Sequence, residues 1–562
     1  MKTLKLLVKI IGQFLFVIIF LSTTPVKSLD KYDNAVNFSD YFSGILLLND
    51  NKYEDSFKYL KRLNGLEASH LNYSNKYLYS LINSGNFKTA FNYSKKLERQ
   101  NLGNFESHLI SGIYYLKKSN LELAQKYFLK AKKKNPEFIL NNFVSNSLIN
   151  WSALSNLNQS KIELEKLDKR FVNLKKIQNV FLSCYFNSTN TVRLFKEITS
   201  DKNTDFSRYN YFYASYMASI GKLKDAKEII SLALELYPRN LMLNQFQIDL
   251  KEKKNLTIFN CKEANHVVAE ILYITANALS SQSIYQLSNF YLNLAKYLNE
   301  DFHSYNTLLA ENFYKDNNYE EAEKIYHNLK KNGEAYNWYS SKQLARILIQ
   351  KKDKNKAVEL IKRSYENLLN KGIYQTFDYA EFLKNNEKFN QSIPQYTKII
   401  NQISKQHPLF AESTDGRGVA YERIGKWREA EKDLLASLDA DPEQAYVINY
   451  LAYSWIEQGV KIQKSLSMLE KANELRSNDP YIIDSLGWAL YKLERYKESK
   501  KFLQSAVRLM PADPIVNDHY GDVLWKNGNE IQARYYWNYV LNLKETKDEL
   551  KKTIEKKLIG GL

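Results

Sequence analysis

Acidic and aromatic side chains recur together near the end of this 562-residue chain. A step of 34 residues leads from Asp484 to Asp518, and the same step leads from Tyr491 to Trp525. Aromatic rings anchor a polypeptide with little loss of side-chain entropy, and carboxylates pair with basic side chains and accept hydrogen bonds from backbone N–H groups. These residue types therefore predict recognition of a polypeptide.

The sequence contains no motif typical of an active site. Its seven histidines never form HExxH or another short metal-binding pair, which gives no support to a zinc hydrolase. A GxSxG nucleophile elbow and a GxxxxGK[ST] phosphate loop are also missing. We therefore predict that the protein is not an enzyme and that it carries neither a cofactor nor a metal.

A small residue marks the same interval along most of the chain. Gly487 lies in an apolar run with helical periodicity, where glycine costs roughly 1 kcal/mol relative to alanine, so we expect a packing reason for it. A second small residue follows twelve positions after the first in many units. The first position recurs at Gly44, Gly112, Ala276, Ala310, Ala345, Ala380, Gly418 and Gly521, and the second at Ala90, Ala124, Ala226, Ala322, Ala357, Ala430 and Ala533. This pattern predicts two helices that cross closely in every unit.

This spacing resembles the tetratricopeptide repeat, a helix–turn–helix unit of 34 residues. The resemblance implies an all-α fold, a superhelical α-solenoid of about 13–14 repeats. The predicted organisation is a signal peptide or signal anchor at 1–28, an N-terminal array at 29–240 with degenerate repeats at 137–205, a degenerate repeat or elbow at 241–262, a C-terminal array at 263–548 and a charged tail at 549–562. The tail is predicted to be a final solvated helix, the polar cap that a solenoid needs.

The resemblance also predicts which side chains form a binding groove. In tetratricopeptide arrays the first helix of each pair lines the concave face through its second, fifth, ninth and twelfth positions. In this chain those positions hold Tyr446, Asn449, Tyr453, Ile456, Tyr481, Asp484, Trp488, Tyr491, Ile515, Asp518, Asp522 and Trp525, with Asp415 one repeat earlier. Arrays that clamp a C-terminal carboxylate have lysine at the fifth position, where this chain has aspartate, so the groove should prefer basic groups. The alternative is that Trp488 and Trp525 wedge between neighbouring repeats.

Residues 276–543 are more specifically similar to the long cell-envelope tetratricopeptide proteins of proteobacteria, through stretches such as "DPYIIDSLGWALYKLERYKESKKFLQSAVRLMPADP". One branch of that group comprises outer-membrane lipoproteins that present cell-wall hydrolases to a periplasmic protease. The resemblance implies a scaffold or adaptor whose partner is a protein, such as a periplasmic protease or a cell-wall hydrolase. This chain lacks the lipoprotein cysteine, and it also lacks the CxxC pair of an inner-membrane branch. The alternatives are a membrane-anchored assembly factor for outer-membrane proteins or polysaccharide, and a regulatory subunit of a cell-wall enzyme.

The N-terminus has the three parts of an export signal. Lys2, Lys5 and Lys9 precede an apolar run, Ile10–Leu21, and Val26-Lys27-Ser28 offers small residues where a signal peptidase cuts. We therefore predict export to a bacterial periplasm with a mature N-terminus at Leu29. The alternative is an uncleaved segment that anchors the chain in the inner membrane, facing the periplasm, which would be the chain's only contact with a membrane.

The net charge bears on nucleic-acid binding, and the two cysteines bear on a possible disulfide. The formal net charge is +18, but the lysines are spread along the array, so we interpret the charge as a solvated surface and predict no nucleic-acid partner. The two cysteines, Cys184 and Cys261, form no CxxC or similar motif. Two separate small buried residues are the favoured prediction, and a disulfide in an exported chain is the alternative.

Overall fold

The computed structural model describes residues 31–562 except 64, 71, 135, 202, 203, 253 and 255–258, and the side chains of residues 31–35 are outside this description. The predicted signal segment and its cleavage site lie outside the described residues. The described part contains 30 α-helices, three short 3-10 helices and no β-strand. None of these described helices combines the length and the apolar character that a bilayer crossing requires.

The described helices belong to two compact units, of which the first ends at Lys351. Its helices are α1 (Lys31–Asn49), α2 (Tyr53–Arg62), α3 (Tyr73–Asn83), α4 (Phe87–Arg99), α5 (Phe105–Lys117), α6 (Leu121–Lys132), α7 (Ile139–Ser152), α8 (Leu157–Glu165), α9 (Val172–Tyr185), α10 (Thr191–Thr199), α11 (Ser207–Ser219), α12 (Leu223–Leu236), α13 (Leu241–Glu252), α14 (Ala264–Ser281), α15 (Tyr285–Leu298), α16 (Ser304–Lys315), α17 (Tyr319–Leu329) and α18 (Glu334–Gln350).

The second unit comprises Lys352–Leu562. Its helices are α19 (Lys354–Glu366), α20 (Ile373–Asn385), α21 (Phe389–Ile400), α22 (Pro408–Arg423), α23 (Trp427–Ala440), α24 (Ala445–Glu457), α25 (Ile462–Leu475), α26 (Pro480–Lys492), α27 (Tyr496–Leu509), α28 (Pro514–Lys526), α29 (Glu530–Asn542) and α30 (Asp548–Gly560).

Helix pairs are the building unit of the chain. When α13, α18, α19 and α30 are left out, the described helices follow one another within the two units as thirteen helix–turn–helix pairs. The small residues lie where the helices of a pair touch: a Cβ atom on Gly487 would come within 2.7 Å of Leu503 Cγ, and one on Gly44 within 2.7 Å of Leu60 Cγ. The seven alanines of the second small position are fully buried. The predicted all-α repeat fold is confirmed, and close helix crossing explains the glycine inside the apolar run.

The weakly marked regions of the sequence are helical too. Residues 137–205 form two further pairs, α7 with α8 and α9 with α10. Residues 241–262 contain α13, which no second helix follows among the described residues before α14 begins. The division of the array at 241–262 stays a prediction.

The charged tail forms α30, which is not solvated on all sides. Ile554 is fully buried in a core cluster with Trp537 and Val540 of α29, and Leu550 and Leu558 pack against the same cluster. The helix therefore covers the end of the array through one apolar face, and it is solvated only on the other.

The two cysteines form a disulfide, which corrects the favoured prediction of two separate residues. Cys184 on α9 is bonded to Cys261, which lies just before α14, and the two residues are 77 positions apart in the sequence. Both side chains are buried. Because the bond encloses α10 to α13, it ties α9 to the segment just before α14.

Breaking this disulfide should destabilise the first unit. Replacing Cys184 and Cys261 together by alanine is expected to lower the free energy of unfolding by about 2–4 kcal/mol, because the unfolded chain regains the freedom of a long closed loop. Urea unfolding of the oxidised and reduced natural chain measures the same quantity. The double variant is the control, since a reductant should leave it unchanged. Identical unfolding curves for all forms would contradict a structural role for the bond.

Candidate polypeptide-binding face

The first helices of the pairs in the second unit, α20, α22, α24, α26 and α28, form one surface, which we call the first-helix face. Within it α20 packs beside α22, α24 beside α26 and α26 beside α28. Helices α26 and α28 begin in the same way: Asp479 and Asp513 each accept two backbone N–H hydrogen bonds as N-caps, and proline occupies the next position. Identical starts 34 residues apart place equivalent positions of α26 and α28 in register.

The second positions of three successive first helices are exposed. Tyr446 has 50% of its surface accessible, Tyr481 58% and Ile515 45%. The Tyr446 hydroxyl donates a 2.8 Å hydrogen bond to Asp479, and the Arg476 guanidinium lies 4.7 Å from the centre of its ring. These three side chains provide apolar contact area of the kind that the groove prediction requires.

Trp488, the predicted aromatic anchor, is not exposed. It keeps only 7% of its surface accessible, and its ring stacks on Tyr491 at 4.6 Å and on His519 at 3.9 Å. Its indole N–H donates a 2.7 Å hydrogen bond to Glu457 of the preceding repeat. The expectation that this ring projects into the groove is therefore wrong, and the alternative of a wedge between repeats describes its position.

Trp525 is half-buried at the end of the array. Its ring lies 5.4 Å from that of Trp537, and the Arg534 guanidinium lies 4.7 Å from its centre. Ile456, which stands at the twelfth position of α24, is fully buried in the core. Only part of the predicted aromatic and aliphatic set is thus available to a ligand.

The predicted carboxylates of α26 and α28 are buried and paired within the chain. Asp484 faces Nδ1 of His519 at 3.0 Å. Burial alone would lower the pKa of His519, but the neighbouring carboxylates, Asp484 first among them, together outweigh burial and raise it. Asp518 and Asp522 both contact the ammonium group of Lys557. The expectation of open acidic positions at these three residues is wrong because groups of later helices already fill the space.

A second group of carboxylates lies on α20 and α22, and Asp415 of α22 stands two repeats before α26. Burial, together with the charges of Glu381 and Glu412, raises the pKa of Asp415 to about 6, although the nearby Lys384 acts in the opposite direction. Glu412 is exposed, while Glu381 accepts a hydrogen bond from Tyr396 and a 2.8 Å hydrogen bond from the ammonium group of Lys384. Like charges held close together cost free energy that a bound cation would recover. Asp415 was among the sequence-predicted positions, and the same rule applied to α20 and α22 would have found Glu381 and Glu412.

Polar side chains of α24 continue the face between these acidic groups. Asn449 is half-buried, and its Oδ1 is a buried acceptor with no hydrogen-bond partner among the described residues. Tyr450 donates a 2.7 Å hydrogen bond to Glu422. Burial and the charges of nearby carboxylates, Glu457 first among them, raise the pKa of Tyr453, which keeps its hydroxyl protonated and able to donate. An unpaired, buried amide oxygen is suited to receive an N–H donor.

The corresponding face of the first unit is filled by the chain itself. Helix α15 packs against α3 and α5, and nine of its fourteen residues are buried. The Tyr79 ring lies 5.0 Å from that of Phe290, and Asn293 donates a 3.1 Å hydrogen bond to Asn83. Tyr79 stands at the ninth position of its repeat, as Trp488 does, so α15 lies where a bound polypeptide would lie. The face of α3 and α5 is therefore not left for a partner.

The chain has a relative among curated protein sequences. It is 29% identical over 143 residues to the TPR repeat-containing protein PA4667 of Pseudomonas aeruginosa, a match that covers 25% of this chain and 23% of the relative. The fold of the chain is that of a tetratricopeptide-repeat solenoid. The match thus spans about a quarter of either protein. No family model matches the sequence.

Solved structures resemble parts of this tetratricopeptide array. YrrB, described as a TPR protein with an unusual peptide-binding site, is 16% identical over 35% of this chain and 99% of its own, with a TM-score of 0.28. TTC0263, a thermophilic TPR protein of Thermus thermophilus, is 12% identical over 34% of this chain and 100% of its own, with a TM-score of 0.29. MamA from Desulfovibrio magneticus RS-1 is 15% identical over 31% of this chain and 97% of its own, with a TM-score of 0.28.

The side chains of the first-helix face are suited to binding. Among the described residues, no group of three or more histidine, cysteine, aspartate or glutamate side chains could hold a metal ion. Carboxylates, tyrosines and an unpaired amide oxygen along one face of stacked helices can instead hold an extended segment through its backbone N–H groups and basic side chains.

Proposed function

We propose that the protein is a non-enzymatic scaffold of the bacterial cell envelope that binds an extended, basic segment of a protein partner on the first-helix face of its second unit. The observation that carries this proposal is the position of Asp415, which is half-buried close to Glu381 and Glu412 on that face. Asn449 supports it, since a ligand N–H would pair with its buried Oδ1.

The location in the envelope is supported by two features of the chain. The N-terminal residues follow the pattern of an export signal. The Cys184–Cys261 disulfide is a bond that forms and persists in oxidising compartments such as the periplasm. A periplasmic protease or a cell-wall hydrolase as the partner rests on the resemblance to envelope adaptors alone.

Export predicts a defined mature terminus. Intact mass and N-terminal sequencing of the native protein from the envelope fraction should show a chain that begins at Leu29, because signal peptidase cuts after small residues. Recovery of a chain that still begins at Met1 in the inner membrane would replace export by anchoring.

Binding can be tested with a synthetic peptide that alternates lysine and leucine, labelled for fluorescence anisotropy, and with its glutamate counterpart. The natural chain should bind the lysine peptide and not the glutamate peptide. Replacing Asp415 by lysine should weaken binding about thirtyfold or more, since it turns an attraction into a repulsion. Glu429→Lys is the matched control, because Glu429 is exposed on α23, a second helix. Equal loss in both variants, or no preference between the peptides, would contradict the proposed function.

A further inference from the structure

The last helix of the chain places a lysine on the first-helix face. Lys557 Nζ of α30 lies 2.6 Å from Asp518 Oδ1, and it lies 2.7 and 2.8 Å from the two carboxylate oxygens of Asp522. Only 11% of the Lys557 side chain is accessible. One ammonium group thus meets three oxygens of two carboxylates, which uses its full donor capacity.

The final residues also cover the neighbouring aromatic position. Gly561 lies so close to Trp525 that a side chain there would collide with the indole ring. Arg534 of α29, which lies over that ring, donates a hydrogen bond to the backbone oxygen of Leu558. The last turn of α30 and the residues after it therefore lie against Asp518, Asp522 and Trp525, which are the fifth, ninth and twelfth positions of the last repeat. A bound polypeptide would be expected at the same place.

One carboxylate of the pair, that of Asp522, is also held by a group other than the lysine. Asp522 also accepts a 3.0 Å hydrogen bond from the indole N–H of Trp537, which is fully buried. Asp518 and Asp522 both stand on α28, one helical turn apart. A binding site whose groups are held in place by the core loses little entropy when it receives a ligand.

The attachment of α30 to the array is slight by comparison. Ile554 is its only fully buried residue, and Leu550 and Leu558 are partly buried. Lys552 and Lys556 are exposed to solvent. A terminal helix with few buried contacts is the kind of element that opens locally without unfolding of its neighbours.

We propose that Asp518 and Asp522, with Trp525 beside them, form a lysine-binding site that the chain's own Lys557 occupies, and that a lysine-bearing partner segment enters this site by displacing α30. The inference rests on the proposed function, because it extends the partner's path along the first-helix face from Asp415 to the last repeat. In this arrangement α30 competes with the partner, and affinity depends on how firmly Lys557 is held.

Replacing Lys557 by methionine tests the proposal on the full chain. The variant should bind the alternating lysine–leucine peptide about tenfold more tightly than the natural chain, since the competing contact to two carboxylates is lost. Hydrogen exchange of the α30 amides should become faster in the variant, and it should also become faster in the natural chain when peptide is added. Lys556 is an exposed neighbour, so Lys556→Met should change neither the peptide affinity nor the exchange rates. Lys557→Arg, which keeps a positive charge, should bring both quantities part of the way back to those of the natural chain.

A second probe separates this inference from the proposed function. A labelled synthetic peptide with the sequence of residues 545–562 should bind the Lys557→Met chain and should not bind the natural chain, whose site is filled. That result would support the lysine site even if the lysine–leucine peptide showed no dependence on Asp415. Unchanged exchange of α30 in Lys557→Met, together with equal binding of both peptides to the variant and the natural chain, would overturn the inference and leave α30 a structural cap.

Discussion

Replacing Trp488 by alanine is expected to lower the free energy of unfolding of the second unit by about 3–5 kcal/mol, as truncation of a buried aromatic side chain does. The ring is covered by Tyr491 and His519 and bonded to Glu457, so its removal leaves a cavity between two repeats and an unpaired carboxylate. Chemical unfolding followed by circular dichroism measures the loss, and hydrogen exchange should place it in α24 to α28, because repeats couple to their neighbours.

Tyr481→Ala is the matched control on the same helix, since Tyr481 is largely exposed. Tyr481→Ala should lower the free energy of unfolding by less than about 1 kcal/mol. It should weaken peptide binding more than Trp488→Ala does. A Trp488→Ala chain with unchanged stability and a selective loss of binding would restore Trp488 as a groove anchor and contradict its position between repeats.

Replacing Asp415 by asparagine should stabilise the second unit and weaken binding. The pKa of Asp415 is raised to about 6 by burial and by Glu381 and Glu412, against an ordinary value near 3.8. Between these two values the folded chain binds more protons than the unfolded chain, so its stability falls as the pH rises through this window. At pH 7 the ionised carboxyl therefore costs about 1–3 kcal/mol, which the amide would remove.

The pH dependence gives this prediction its own check. The stability gained by Asp415→Asn should be present at pH 7 and should vanish below about pH 4, where the natural carboxyl is protonated in both states. The lysine–leucine peptide should meanwhile bind the variant at least tenfold more weakly than the natural chain. If Asp415→Asn stabilised the chain but left peptide binding unchanged, Asp415 would not belong to the binding site. If the variant were less stable than the natural chain at pH 7, the carboxylates around Asp415 would not destabilise its ionised form.

The recurrence of small residues was sufficient to predict the fold, because successive repeats pack on one another and each close crossing excludes a side chain. Gly487 and Ala533 illustrate this: a side chain on Gly487 would collide with Leu503, Ala533 is fully buried, and both stand in the predicted register. The predicted second positions, Tyr446 and Tyr481, are exposed because the same register turns them away from the helix crossing.

The occupants of the face could not be predicted from that register. A step of 34 residues aligns Asp484 with Asp518, but it does not show that His519 of the next helix pairs with Asp484. Lys557 stands outside every repeat, so no periodic signal assigns it to Asp518. The packing of α15 onto α3 and the bond between Cys184 and Cys261 join segments that are far apart in the sequence, and neither leaves a local pattern.

The two units thus differ in what they offer to a partner. In the first, buried side chains such as Phe290 of α15 lie on the face that the early repeats would present. In the second, α30 covers the last repeat with one lysine and one short apolar helix face, and His519 fills the ninth-position region of the repeat before it. We infer that recognition and its control both belong to the second unit.

Hydrogen exchange of the full chain with and without the alternating lysine–leucine peptide tests this central claim most directly. We predict slower exchange in α20, α22 and α24, faster exchange in α30, and no change in α3 and α5 of the first unit. Protection that appeared in the first unit, or on the second helices α21 and α23 with none on the first-helix face, would contradict the claim.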